Sequence, residues 1–161
     1  MPAVRLLASA LEVIVAHARR EAPRECCGLL IGREDLIEEA WPAANLREGE
    51  VAFLVSPADH FAAIRHARAT GQSVIGAYHS HPRSPAVPSP TDIREANDPE
   101  LLHVIVSLAT DPPDIRAYRL ADGLATEIGV RGAGCGMRGD PGSADSGSVD
   151  SRSVDSRSED T

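Results

Sequence analysis

What most constrains this chain is the order in which short apolar runs and helical stretches follow one another. CCGLLIG (26–32), DLIEEAW (35–41), VAFLVS (51–56), SVIGAYHSH (73–81), LLHVIVSLA (101–109), IRAYRLA (115–121) and LATEIGV (124–130) are short and largely apolar, and each predicts a strand. One helical stretch precedes them and another interrupts them. Ser9 is placed to cap a first helix that sets Leu11, Ile14, Val15 and Ala18 on one face and ends near Pro23. Pro57 suits the first position of a second helix, PADHFAAIRHARATG, with Gly71 just past its end. Two or three helices against a mostly contiguous sheet predict an α/β layered domain.

The 161 residues leave room for one such domain. Hydrophobic residues make up 42 % and aromatics only 3 %, so the core must be built from Leu, Ile, Val and Ala, and a stacking platform for bases is not expected. A formal charge of -8 and a pI near 5.2 oppose binding to nucleic acid or to an anionic membrane. All 16 basic residues are Arg, which removes lysine Schiff-base chemistry and any side-chain amine for attachment of a modifier. No apolar run approaches the ~18 residues of a membrane helix, and the N-terminus has no secretory cleavage pattern. Cys26, Cys27 and Cys135 form no disulfide framework, because the first two are adjacent. A cytoplasmic protein is expected.

From Gly132 onward the chain is a different material, with two SVDSR pentads and almost nothing apolar. Residues 140–161 carry six acidic residues against two Arg. Such a segment cannot offset its ordering entropy by burial. The expected organisation is therefore a folded domain over residues 1–130 and a disordered acidic Ser/Asp-rich tail over 131–161, a solubilising appendage rather than a docking element.

Chemistry concentrates in AYHSHPRSPAVPSPTD, residues 77–92. His79 and His81 are two apart on a predicted strand, so both imidazoles leave the same face. A Pro-rich loop then leads to Ser89-Pro90-Thr91-Asp92, where Pro90 suits the first position of a short helix and Asp92 its first turn. Folding Asp92 back onto the histidines would give two imidazoles and one carboxylate, with a fourth tetrahedral position left for water, the pattern of a catalytic zinc site. Taken separately the features have bland readings, a half-buried strand histidine and a helix-capping box; taken together they favour the metal. A base for the water is then needed. Glu25 precedes CCGLLIG directly, though composition alone would not single it out from Glu21 or Glu34.

PRECCGLLIG followed by YHSHP and then PSPTD resembles the JAMM (MPN+) family of zinc metallopeptidases, in its small stand-alone bacterial form, over roughly residues 3 to 130. The resemblance implies a mixed β-sheet packed between helices, a fold similar to cytidine deaminases. It implies one zinc per chain held by His79, His81 and Asp92. It makes Glu25 the base that deprotonates the water and later protonates the leaving amine, and Ser89 the hydroxyl that stabilises the oxyanion. The implied activity is cleavage of the amide bond after the C-terminal glycine of a ubiquitin-like or sulfur-carrier protein, releasing an amino acid such as cysteine. The extended Gly-Gly tail would pair with a sheet edge near the metal.

Other readings stand beside this one. The family also contains general isopeptidases that free protein lysines and metal-free scaffolds, the latter lacking ligands that this chain keeps. Cys26 and Cys27 as ligands or nucleophiles are weaker than Cys as packing. The deaminase pattern H-x-E with P-C-x-x-C is missing, as is H-x-H-x-D-H, since Arg83 follows Pro82. His17, His60, His66 and His103 form no second cluster and read as ordinary surface or half-buried residues. The oligomeric state and the carrier's identity stay open.

Overall fold

The computed structural model describes residues 3–47 and 54–133. Its elements run β1 (Ala3–Leu7), α1 (Ala8–Glu21), β2 (Cys27–Arg33), β3 (Leu36–Ala43), α2 (Pro57–Ala69), β4 (Ser73–His81), α3 (Pro90–Glu95), β5 (Leu102–Ser107), β6 (Asp114–Ala121) and β7 (Leu124–Ala133). The expected first helix has the expected face, with Ile14 and Ala18 buried and Leu11 and Val15 packed against them. Its start differs. Leu7 is the N-cap and makes no side-chain cap bond, because β1 runs directly into the helix and leaves Ser9 inside its first turn. In α2, Ser56 caps the helix by accepting the Asp59 N–H, and Pro57 takes the first position. Gly71, at φ 71°, makes the left-handed exit that a side chain would strain.

The strands close into a barrel in the order β1-β3-β2-β4-β5-β6-β7, with β1 returning to β7. The segment that closes it, β1, was not among the predicted strands. It pairs in parallel with β3 through Arg5 and Leu36 and with β7 from Ala3–Gly129 to Leu7–Ala133. The β1–β3 seam is short, Arg5–Leu36 and Leu6–Ile37, so among the described residues Glu39 to Ala43 of β3 ladder with β2 on one side alone. The predicted strand over 51–56 lies partly outside the described residues; Val55 makes only an isolated bridge to Asn45. β7 continues to Ala133, three residues past the expected boundary at 130, and residues 134–161 lie outside the described residues.

The expected layering, a sheet between helices, holds. One face of the wall, contributed by all seven strands, packs on α1: Ala10, Ile14 and Ala18 meet Leu6, Leu30, Tyr78, Val104 and others in one aliphatic cluster. Each such fully buried Leu or Ile is worth ~1.5–3 kcal/mol. On the opposite face, Leu29 and Ile31 of β2 receive Ala63 and Ala67 of α2, while Ile93 of α3 packs near Ile105, Tyr118 and Leu120. Between these two outer helices the face carries polar side chains.

Candidate metal centre

β4 separates its residues by the two-residue period of a strand. Tyr78 and Ser80 face α1's side, and His79 and His81 face the other, both buried at 2 % and 4 % exposure. Their Nε2 atoms stand 3.1 Å apart. His81 Nδ1 lies 2.7 Å from the Pro85 carbonyl; donating its proton there fixes the tautomer and aims Nε2 as an acceptor at the centre.

The Pro-rich loop after His81 is stitched to the barrel wall. Ser107 Oγ donates to the Ser84 carbonyl at 2.6 Å, and the Tyr118 hydroxyl donates to the Ala86 carbonyl at 2.6 Å. Ala86 itself is buried. So anchored, the loop delivers α3 with Ser89 as N-cap: Ser89 Oγ accepts the Asp92 N–H at 3.0 Å while Asp92 Oδ2 accepts the Ser89 N–H at 2.8 Å. This is the reciprocal capping box expected from the sequence. The same Oδ2 reaches 3.2 Å from His79 Nε2 and 3.6 Å from His81 Nε2. Capping and convergence on the histidines are one geometry here, not rival explanations.

Glu25 arrives from the other side. The Cys26 N–H donates to Ser80 Oγ at 2.8 Å, and the Ser80 N–H donates to the Cys26 carbonyl at 3.0 Å, so the residue after Glu25 is tied to the residue between the two histidines. Glu25 Oε1 then lies 3.7 Å from His81 Nε2. Its Oε2 is buried without a hydrogen-bond partner. Glu25, His79 and His81 each bring one ligand-capable atom within 4.8 Å of the others, so two carboxylates flank one histidine pair.

Their electrostatics diverge. Burial pushes the Glu25 carboxyl up to about 7, with Asp92 adding to the shift and His81 opposing it. Burial acts on Asp92 in the same sense, but there it is overruled by hydrogen bonds from His79, His81 and the Ser89 N–H, which hold the carboxyl well below the usual range. One carboxylate is thus kept as an anion and the other is poised near neutrality, the pattern that separates a fixed charge from an acid–base group. Burial lowers His79, whereas for His81 the Asp92 and Pro85 partners outweigh burial and raise it. Burial pushes the Cys26 and Cys27 thiols up to about 11 and about 12, which leaves neither as a thiolate nucleophile.

His79 and Asp92 open onto a cleft of about 370 Å³ also lined by Arg47, Leu54, Glu95 and His103. A larger hollow of about 560 Å³, against α2, shares Asn97, Asp98 and Leu101 with it. His103, read from the sequence as ordinary, sits on β5 beside Ala77 and lines this cleft. Ser80 and Asn45 were also missed. The first looks like a spacer between ligands, and the second has no local pattern; only strand pairing shows what either touches. His66 is an ordinary surface residue, bonded to Glu39 and stacked near Trp41.

Two converging imidazoles, an anionic Asp and a buried Glu with an unsatisfied oxygen make a donor set suited to a divalent metal in a hydrolytic site. The chain belongs to the family described as prokaryotic homologs of the JAB domain, which matches residues 7–121. It is 34 % identical over 124 residues to the CysO-cysteine peptidase of Mycobacterium tuberculosis, spanning 74 % of this chain and 84 % of that one. It is 41 % identical over 121 residues to the "Probable TtuB-protein conjugate cleaving protease" of Thermus thermophilus, spanning 74 % and 78 %. The solution structure of a Desulfitobacterium hafniense protein superposes with a TM-score of 0.76 at 33 % identity, covering 81 % of this chain and 92 % of that one. Among the described residues no helix is long and apolar enough to cross a membrane.

Proposed function

We propose that the protein is a zinc-dependent peptidase that cleaves the amide bond after the C-terminal glycine of a ubiquitin-like or sulfur-carrier protein, releasing an amino acid such as cysteine. The observation that carries the reaction type is the pair of carboxylates over one histidine pair, Asp92 held anionic and Glu25 raised to about 7. The M. tuberculosis relative, named as a peptidase acting on CysO-cysteine, supports the substrate class. The free Cys26 and Cys27 thiols fit a cytoplasmic location.

His79, His81 and Asp92 would hold one zinc, and the donors fit it: Nε2 of His81 is aimed by the Pro85 carbonyl, and Asp92 Oδ2 approaches both rings. When bound, zinc supplies Lewis acidity, which makes water nucleophilic near neutral pH and polarises a carbonyl. Glu25 accepts a proton from the attacking water through its carboxylate and returns it to the nitrogen of the leaving amine. Its place beside His81, with one buried oxygen left without a partner, suits both halves of that shuttle. Ser89 Oγ accepts the Asp92 N–H, which leaves its own proton to donate to the developing oxyanion. An extended glycine tail would lie along the cleft beside His79 and Asp92 and the adjoining hollow against α2.

A second reading, general removal of modifiers from protein lysines, is favoured by the Thermus relative named for conjugate cleavage. Incubating zinc-loaded protein with a Gly-Gly carrier bearing one C-terminal cysteine, and with the same carrier joined to a lysine of a second protein, separates the two by product mass. Cleavage of the first alone is expected. Cleavage of the second at equal rate replaces the first reading with the second, and cleavage of neither removes both.

A further inference from the structure

Asn45 spends both ends of its amide on the neighbourhood of Glu25. Continuing the β2–β3 register outward from Cys27–Ala43 by two residues sets Asn45 opposite Glu25, at the point where the backbone ladder has stopped. The side chain takes over there. Its Nδ2 donates to the Glu25 carbonyl at 2.9 Å. Its Oδ1 accepts the Arg47 N–H at 3.0 Å and the Leu54 N–H at 2.9 Å. Arg47 and Leu54 both line the cleft beside His79 and Asp92.

We infer that Asn45 is a positioning residue with two separable duties: its Nδ2 holds the Glu25 backbone so that the carboxylate stays beside His81, and its Oδ1 holds Arg47 and Leu54 at the cleft wall. The inference rests on Glu25 acting as the base. The other side of the Glu25 segment is pinned by Ser80 through Cys26, so Asn45 supplies the second anchor and fixes the orientation of the carboxylate as well as its distance. A base displaced by a fraction of an ångström loses rate because proton transfer depends steeply on geometry.

Asn45→Asp separates the duties, since it keeps an acceptor for the Arg47 and Leu54 amides but sets an oxygen against the Glu25 carbonyl. Asn45→Ala removes both. With the full-length zinc-loaded chain and the carrier–cysteine substrate, N45D is expected to lower kcat by about 10- to 100-fold with KM nearly unchanged. Zinc content should stay the same, and hydrogen exchange at the Arg47 and Leu54 amides should stay slow. N45A is expected to lower kcat similarly, to raise KM, and to speed exchange at those two amides. In a Glu25→Gln background N45D should cost nothing more, because the group it positions is gone. Wild-type kcat in whichever of the two variants folds overturns the inference, as does an equal loss from N45D with and without Glu25. If the unmodified chain is active and E25Q is as active as it is, the assignment of the base has failed instead, and this inference falls with it.

Discussion

On one face of β4 the Tyr78 hydroxyl and His17 Nδ1 meet at 2.8 Å, and Ser80 Oγ takes the Cys26 N–H at 2.8 Å. On the other face, one residue along in each case, His79 and His81 bring two Nε2 atoms to 3.1 Å, and the nearby Glu25 Oε2 has no partner. Both faces are buried, and both carry polar groups. The α1 side pairs its polar groups inside the protein, and so they specify a fold. The other side holds its donors in a convergence that the protein does not complete, so stability there is given up for a ligand.

The largest expected effects lie on the incomplete side. Glu25→Gln should keep zinc and fold but lose hydrolysis by about a thousandfold or more, because the amide cannot accept a proton. His79→Ala and His81→Ala should lose the zinc itself, as elemental analysis would record. Release of zinc by E25Q would make Glu25 the third ligand in place of Asp92 and redraw the centre. Ser89→Ala should be milder, about 10²- to 10³-fold in kcat. It should also cost about 1 kcal/mol of stability, since the same oxygen caps α3; a loss of stability with turnover intact would reduce Ser89 to a cap.

The satisfied side should respond in stability alone. A side chain on Gly28 would run into the Tyr78 ring, so Gly28→Ala should lower thermal stability by about 1–3 kcal/mol while the folded fraction binds zinc normally. A second test joins the two faces through pH. In the metal-free protein the Glu25 carboxyl sits near 7, above its ordinary 4.5. Between those values the folded state binds more protons than the unfolded one, so the group makes stability fall as pH rises from about 4.5 to about 7. Metal-free E25Q should therefore be more stable than the unmodified chain at pH 8, by order 1–3 kcal/mol, and equal to it near pH 4. A metal-free E25Q that melts no higher at pH 8 would mean that the unpartnered oxygen carries no cost. The smallest effect concerns the end of the chain. Ending it after Ala133 should leave melting and turnover unchanged, whereas ending it after Val130 removes Arg131, Gly132 and Ala133, which pair with Arg5, Leu6 and Leu7, and should cost measurable stability. Equal melting of the two truncations would show that this part of the β1–β7 seam contributes nothing.

What the sequence determined by itself is whatever a short window of chain can enforce. The His79–His81 spacing puts two imidazoles on one face because a strand repeats every two residues. Ser89 and Asp92 form their reciprocal cap because a helix start needs acceptors three residues apart, and Leu11, Ile14, Val15 and Ala18 share a face because a helix turns every 3.6 residues. The position of Glu25 was suggested only by resemblance, since nothing within a few residues of it distinguishes it from other glutamates. Tertiary structure decided what depends on distant partners. Short AVRLL looks like the approach to a helix, yet it closes the barrel because both β3 and β7 present unpaired edges to it. Asn45 reads as a loop polar residue until the β2–β3 register sets it across from Glu25. The unpartnered oxygen of Glu25 and its raised pKa exist only once Ser80 and Cys26 have locked that segment against β4, because desolvation is a property of the packed neighbourhood and not of the residue.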